Sequence, residues 1–155
     1  LCAYEALVNL GIDSNNIITA AQEVFWPGRL QITQKTPLTI ADASHNPAGT
    51  QNLAQSLSEW VNPNESIIIC SILSDKDQNQ MLDDYSAISK NIIFCSLQNQ
   101  PRATNPQKLA KLAKGKFKNI YIIQSPALAL RTAHMLRKKV VIISGSTYLL
   151  KNFLR

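Results

Sequence analysis

Cysteine is scarce in this chain. There are three, Cys2, Cys70 and Cys95, and no CxxC pair joins any of them. An odd count argues against a disulfide framework or a thiolate zinc site and for a reducing, cytoplasmic compartment. Cys70 in IIICSI and Cys95 in IIFCSL read as core side chains. No apolar run approaches the roughly 18 residues that a membrane-spanning helix needs, so no membrane partner is expected. Aromatic residues make up 6% of the chain and do not interleave with its basic residues, so the stacking platform of a nucleic-acid module is missing. Neither GxxxxGK[ST] nor GxGxxG occurs, so a self-contained nucleotide site of either common type is missing too. Residues 101–155 contain no Asp or Glu against twelve Lys and Arg, whereas residues 1–100 hold ten acidic and four basic residues. Such a basic half either meets an anionic partner or forms solvated helix faces. Nucleic acid is not the expected partner. Leu1 opens a mixed stretch with neither an initiator Met nor a basic leader, and the expectation is a piece of a longer, unsecreted protein.

What is present is an ordinary globular composition: 155 residues, 45% hydrophobic and 17% charged, enough for one domain with one core. From residue 38 onward, short apolar runs alternate with segments of helical period. The runs are LTIA (38–41), SIIICSI (66–72), NIIFCSL (91–97), NIYIIQ (119–124) and KVVIIS (139–144). They lack polar alternation, as strands buried on both faces do. Between them, Leu53, Leu57, Trp60 and Val61 share one face of a helix starting near Pro47. Met81, Leu82, Tyr85 and Ile88 mark a second helix, and Leu109, Ala110, Leu112 and Ala113 a third that starts after Thr104 or Asn105. Ala129, Ala133 and Leu136 mark a fourth, opened by the N-cap and N1 pair Ser125-Pro126, and a fifth follows Ser146 and runs to the end of the chain. This order predicts an α/β, Rossmann-like, doubly wound fold: a mostly parallel sheet of about five to six strands with helices on both faces. Residues 1–28 read differently, as a helix closed by Gly11, a short helix over about 15–24 and the turn WPGR. They are expected to be the tail of a preceding domain and a linker, with the domain proper at 29–155.

In an open α/β sheet, ligands bind beyond the carboxyl ends of the strands. There the sequence places Asp42-Ala43-Ser44-His45-Asn46-Pro47, Ser74-Asp75-Lys76-Asp77, Pro101-Arg102-Ala103 and Gly145-Ser146-Thr147. Asn46-Pro47 and Gly145-Ser146 lead into helix N-termini, which favour anions. Each piece also has a plain structural reading. DASHNP is compatible with a capped turn, DKD with a cap formed by Asp77, and Arg29 with an ordinary surface residue. Asp42, Ser44 and His45 lie too near one another in sequence for a hydrolase triad. No third His or Cys stands at metal-ligand spacing, so no metal site is expected within the chain. His134 reads as structural.

Taken in order, WPGRLQ, DASHNP, LSDKD, QPRAT and SGSTYLL resemble the C-terminal domain of the folylpolyglutamate synthase family, in particular its bacterial bifunctional dihydrofolate synthase type, within the Mur ligase superfamily. The resemblance covers about residues 26–155, and residues 1–25 resemble the end of the family's central domain. It implies a ligase that uses ATP to phosphorylate a carboxylate of dihydropteroate or folate, so that the amine of L-glutamate attacks the acyl phosphate. It implies that the protein's own N-terminal part supplies the phosphate loop and the Mg2+ ligands. It further implies Arg29 and Asp42 as ATP contacts, and His45, Asn46, Lys76 and Ser146 as groups near the incoming glutamate or the reacting phosphate. Ala43 stands where the family commonly has Gly, and the Gly often found before DKD is absent from SILSDKD. A Mur-type ligase of cell-wall synthesis and a non-catalytic basic interaction or nucleic-acid-binding module are the alternative readings.

Overall fold

The computed structural model describes residues 2–154. Helix α1 (Cys2–Asn9) ends at Gly11, whose φ of 78° is the left-handed conformation that glycine takes freely. Helix α2 (Ser14–Glu23) is capped by Asp13, whose carboxylate accepts from the amides of Asn15 and Asn16. The two helices pack on each other through an apolar cleft lined by Tyr4, Leu7, Ile17 and Ile18. Among the described residues of this pair, Ile17 alone is buried. Leu10, Ile18, Val24, Phe25 and Trp26 are all largely open to solvent.

The sheet has six strands in the order β1-β2-β6-β3-β4-β5. They are β1 (Gln31–Lys35), β2 (Leu38–Ala41), β3 (Ser66–Cys70), β4 (Asn91–Phe94), β5 (Asn119–Ile122) and β6 (Val140–Ser144). All neighbouring pairs are parallel except β1 with β2. The apolar runs are therefore strands, though β3, β4 and β5 each stop two or more residues before the apolar run does. Strand β1 was not anticipated. QITQK is polar because none of its residues is buried, with Ile32 58% exposed and a register shift between Ile32 and Gln34. A strand with solvent-facing side chains on both faces lacks the apolar run that marks the buried strands.

Because side chains alternate along a strand, the central strands feed two cores. Ile40, Ile68, Cys70, Ile92, Phe94 and Ile142 face α3 (Pro47–Ser58), α4 (Gln78–Ile88) and α5 (Pro106–Leu112). Ala41, Ile67, Ile69, Ile93, Cys95, Val141 and Ile143 face α6 (Pro126–Met135) and α7 (Thr147–Leu150). Leu53, Leu57, Val61, Met81, Leu82, Tyr85 and Ile88 fill the first core as the helical period requires. Trp60 does not join them: it lies past the end of α3, is 54% exposed, and donates its indole N–H to Ser56 O at 2.9 Å. The caps explain where the helices begin. Asn46, Asp77, Asn105, Ser125 and Ser146 each accept a backbone N–H of the following turn.

Candidate functional site

Five parallel strands end on one edge, so the loops that follow β2, β3, β4 and β6 gather there. Strand β2 lies beside β6, and the ladder runs one residue further, Asp42 N donating to Ile143 O at 2.9 Å. DASHNP and Gly145-Ser146 are thereby neighbours. Gly145 N donates to Ser44 O at 2.9 Å, and Ser144 Oγ donates to the same carbonyl at 3.3 Å. The buried Tyr85 hydroxyl donates in turn to Ser144 Oγ at 3.0 Å, and burial pushes its phenol well above its ordinary pKa. Gly145 sits at φ 105°, where an added Cβ would lie 2.7 Å from Cys70 Sγ and 2.8 Å from Ser71 O. The close approach of β6 to β3 at this point therefore needs glycine.

Asp42 is buried, and its carboxylate is occupied from within. Oδ2 accepts from Leu30 N at 2.9 Å, while Oδ1 accepts from Ser44 N at 2.9 Å and from the Ser44 hydroxyl. A carboxylate offers about four acceptor positions, so one is left. The bond to Leu30 clamps the turn that carries Arg29. Leu30 has φ 43°, a left-handed value that costs a branched residue energy and persists because its amide is held. Ala43 N adds a bond of 2.6 Å to Gly28 O. Ala43 takes the usual glycine position at no conformational cost, since it is not among the residues of positive φ. Arg29 itself is exposed. Together Arg29, Leu30, Asp42, Ser44, Gly49 and Asn52 line a cleft of about 260 Å³.

The other predicted residues do not line this cleft. His45 is half-buried, and its Nδ1 lies 2.8 Å from Ala43 O. A carbonyl only accepts, so Nδ1 carries the hydrogen and Nε2 holds the lone pair in the neutral ring. Asn46 Oδ1 caps α3 by accepting from Gly49 N at 2.8 Å, which leaves its amide hydrogens available. Ser146 Oγ accepts from Tyr148 N at 3.1 Å, which leaves its hydroxyl hydrogen to donate. Lys76, on the loop after β3, points to its own neighbour, Asp75, at 3.0 Å. The hydrogen bond from Lys76 holds the Asp75 carboxyl below its ordinary pKa. Arg102, from the loop before α5, reaches the same carboxylate at 3.6 Å. Among the described residues no group of three His, Cys, Asp or Glu could hold a metal ion.

Sequence reasoning passed over three parts of this edge. Ser44, weighed only as a triad member, is the hub that joins Asp42, Gly49 O and β6. Gln78 and Thr104 are buried and bonded to each other. Ser96, Gln98, Ser125, Tyr148 and Lys151 line a further cleft of about 410 Å³, with the Lys151 ammonium 5.4 Å from the centre of the Tyr148 ring. Only the N-cap role of Ser125 could be read in advance.

The family described as Mur ligase, glutamate ligase domain, matches residues 28–147. The chain is 30% identical over 124 residues to folylpolyglutamate synthase of Lacticaseibacillus casei, covering 80% of this chain and 28% of that protein. It superposes on Mycobacterium tuberculosis folylpolyglutamate synthase complexed with ADP and AMPPCP with a TM-score of 0.82 at 25% identity, covering 93% of this chain and 36% of that one. With the bifunctional folylpolyglutamate synthase/dihydrofolate synthase of Yersinia pestis, complexed with AMPPNP and Mn ion, the TM-score is 0.70 at 25% identity, over 83% and 30%. The chain thus spans about a third of the length of these relatives. Its parallel sheet, the order of its motifs and these likenesses agree: the chain belongs to the Mur ligase, glutamate ligase domain family.

Proposed function

We propose that this chain is the C-terminal domain of an ATP-dependent ligase that adds L-glutamate to dihydropteroate or folate through an acyl phosphate. The observation that carries the reading is the cleft that puts Arg29 and Asp42 side by side at the ligand-binding edge, in a chain similar to folylpolyglutamate synthases. Arg29 meets the ATP phosphates through charge-assisted bonds. Asp42 gives its remaining acceptor position to a ribose hydroxyl, while its bond from Leu30 N holds the turn that carries Arg29 and its two bonds from Ser44 hold its own loop. The free donors of Asn46 and Ser146, the lone pair on His45 Nε2 and the Lys76 ammonium receive the incoming glutamate or the reacting phosphate. The work of such a site is positioning and charge stabilisation.

The remainder of the full-length protein supplies the phosphate loop, and the Mg2+ ligands are assigned there as well. Residues 1–28 are the tail of that preceding part with its linker, which accounts for the solvent-facing apolar side chains of α1, α2 and the segment after them. The buried free thiols of Cys70 and Cys95 suit a cytoplasmic enzyme. The test is acceptor dependence. Full-length protein given MgATP should release ADP only when both L-glutamate and a folate or dihydropteroate acceptor are present. ADP release with a cell-wall precursor and its amino acid, and none with folate and glutamate, would overturn the reading.

A further inference from the structure

The loop that carries Lys76 is fastened far more firmly than a solvated turn requires. It is joined to the loop before α5 by an isolated antiparallel bridge, Leu73 with Ala103. Ser74 N donates to Arg102 O at 2.8 Å, and Thr104 N donates to Ile72 O at 3.0 Å. Across this junction lies the side-chain amide of Gln78, the first residue of α4. Its Nε2 donates to Thr104 Oγ1 at 2.6 Å and to Leu73 O at 3.2 Å. Gln78 is 8% exposed and Thr104 4%. Leu73 O also accepts from Lys76 N at 3.3 Å, so the Lys76 turn closes on the carbonyl that Gln78 holds. On its other side, Asp77 is fixed as the cap of α4 by accepting from Gln80 N at 3.1 Å. The helices do not need this junction to dock, since Met81, Leu82, Leu109 and Ala113 already share the first core. Burying a glutamine amide at a ligand-facing edge costs desolvation that only its hydrogen bonds offset.

We infer that Gln78 and Thr104 are positioning residues for Lys76: the buried amide–hydroxyl pair fixes the loop so that the Lys76 ammonium meets the reacting groups at a set distance. This rests on the placement of Lys76 at the glutamate or phosphate side of the proposed site. A displacement of about 1 Å at a reacting centre can cost up to a hundred-fold in rate. T104V removes the acceptor at nearly constant volume, and T104S keeps it.

Steady-state kinetics of the full-length protein test the inference. T104V should lower kcat/KM for glutamate about ten-fold, leave KM for ATP unchanged, and be rescued by T104S. K76A should lose more, and the double variant K76A/T104V should match K76A within about two-fold, because the second change then has nothing left to misplace. Additive losses in K76A/T104V, or a silent T104V beside an impaired K76A, overturn the positioning role alone. A silent K76A overturns the placement of Lys76 and the inference with it. If T104V does not fold, Q78M, which fills the space without donors, takes its place in the cycle; failure of both to fold would make the pair structural and overturn the inference.

Discussion

Replacing Asp42 by Ala should cost this domain far more stability than an ordinary site residue would. The carboxylate is 6% exposed and accepts from Leu30 N, Ser44 N and Ser44 Oγ. The hydroxyl of Ser44 retains Gly49 O at 2.9 Å as a second partner, so the loss falls on two backbone amides. Each loses a bond to a charged acceptor, worth about 1.5–3 kcal/mol, or roughly 3–6 kcal/mol together. For a domain of this size the melting temperature should fall by roughly 6–24 °C. Asp42→Asn keeps one oxygen and should lose about half as much, because its amide must face one of the two donor sets. Arg29→Ala is the control: the side chain is exposed and the change should stay within about 0.5 kcal/mol. Thermal unfolding followed by circular dichroism at neutral pH measures all three. An Asp42→Ala domain as stable as the parent would refute the clamp, and so would an Arg29→Ala domain as damaged as Asp42→Ala.

Other outcomes follow from the same structure. In the full-length protein, Arg29→Ala should lower kcat/KM for ATP about ten- to a hundred-fold without unfolding, the loss of one charge-assisted bond; steady-state kinetics with varied ATP checks it. Gly145→Ala combines the positive φ with Cβ contacts of 2.7 and 2.8 Å on Cys70 and the Ser71 backbone, and should cost about 2–5 kcal/mol by urea unfolding. Gly115→Ala, at φ 82° with nothing within 4 Å, should cost only about 1–2 kcal/mol. Burial pushes the Cys95 thiol from 9.0 up to about 12 and raises Cys70 as well. The unfolded chain therefore releases these protons first. These thiols should leave stability unchanged between about pH 7 and 9 and lower it between about 9 and 12, each adding a downward slope of roughly 1.4 kcal/mol per pH unit, with the buried Tyr85 phenol adding to the fall above its ordinary range. Melting temperatures measured from pH 7 to 11 check the sign.

The parallel strands were legible because a strand buried on both faces must be apolar throughout, as Ile67, Ile68 and Ile69 are. Strand β1 was hidden for the complementary reason: Gln31, Thr33 and Gln34 edge the sheet and carry no apolar signature. Trp60 misled because helical spacing places a residue on a face only while the helix continues, and α3 ends at Ser58. At the ligand-facing edge, sequence order was enough to bring Asp42 and Ser146 together, since parallel strands end on the same side. What it could not convey was the direction of each side chain. That Asp42 turns inward to Leu30, or that Gln78 reaches Thr104, depends on pairings 12 and 26 residues apart that only the assembled fold creates.

The central claim is that this domain holds half of a nucleotide site. On the proposed reading, Arg29 and Asp42 would contribute about 3–6 kcal/mol together, against an association cost of about 4–15 kcal/mol. Even a millimolar complex needs about −4.1 kcal/mol. Calorimetric titration of the folded 155-residue chain with MgATP, beside the full-length protein, measures this directly. Binding heat from the full-length protein and none from the domain is the expected result. A micromolar Kd for the domain alone would mean that the nucleotide site is complete within it, and would contradict the account.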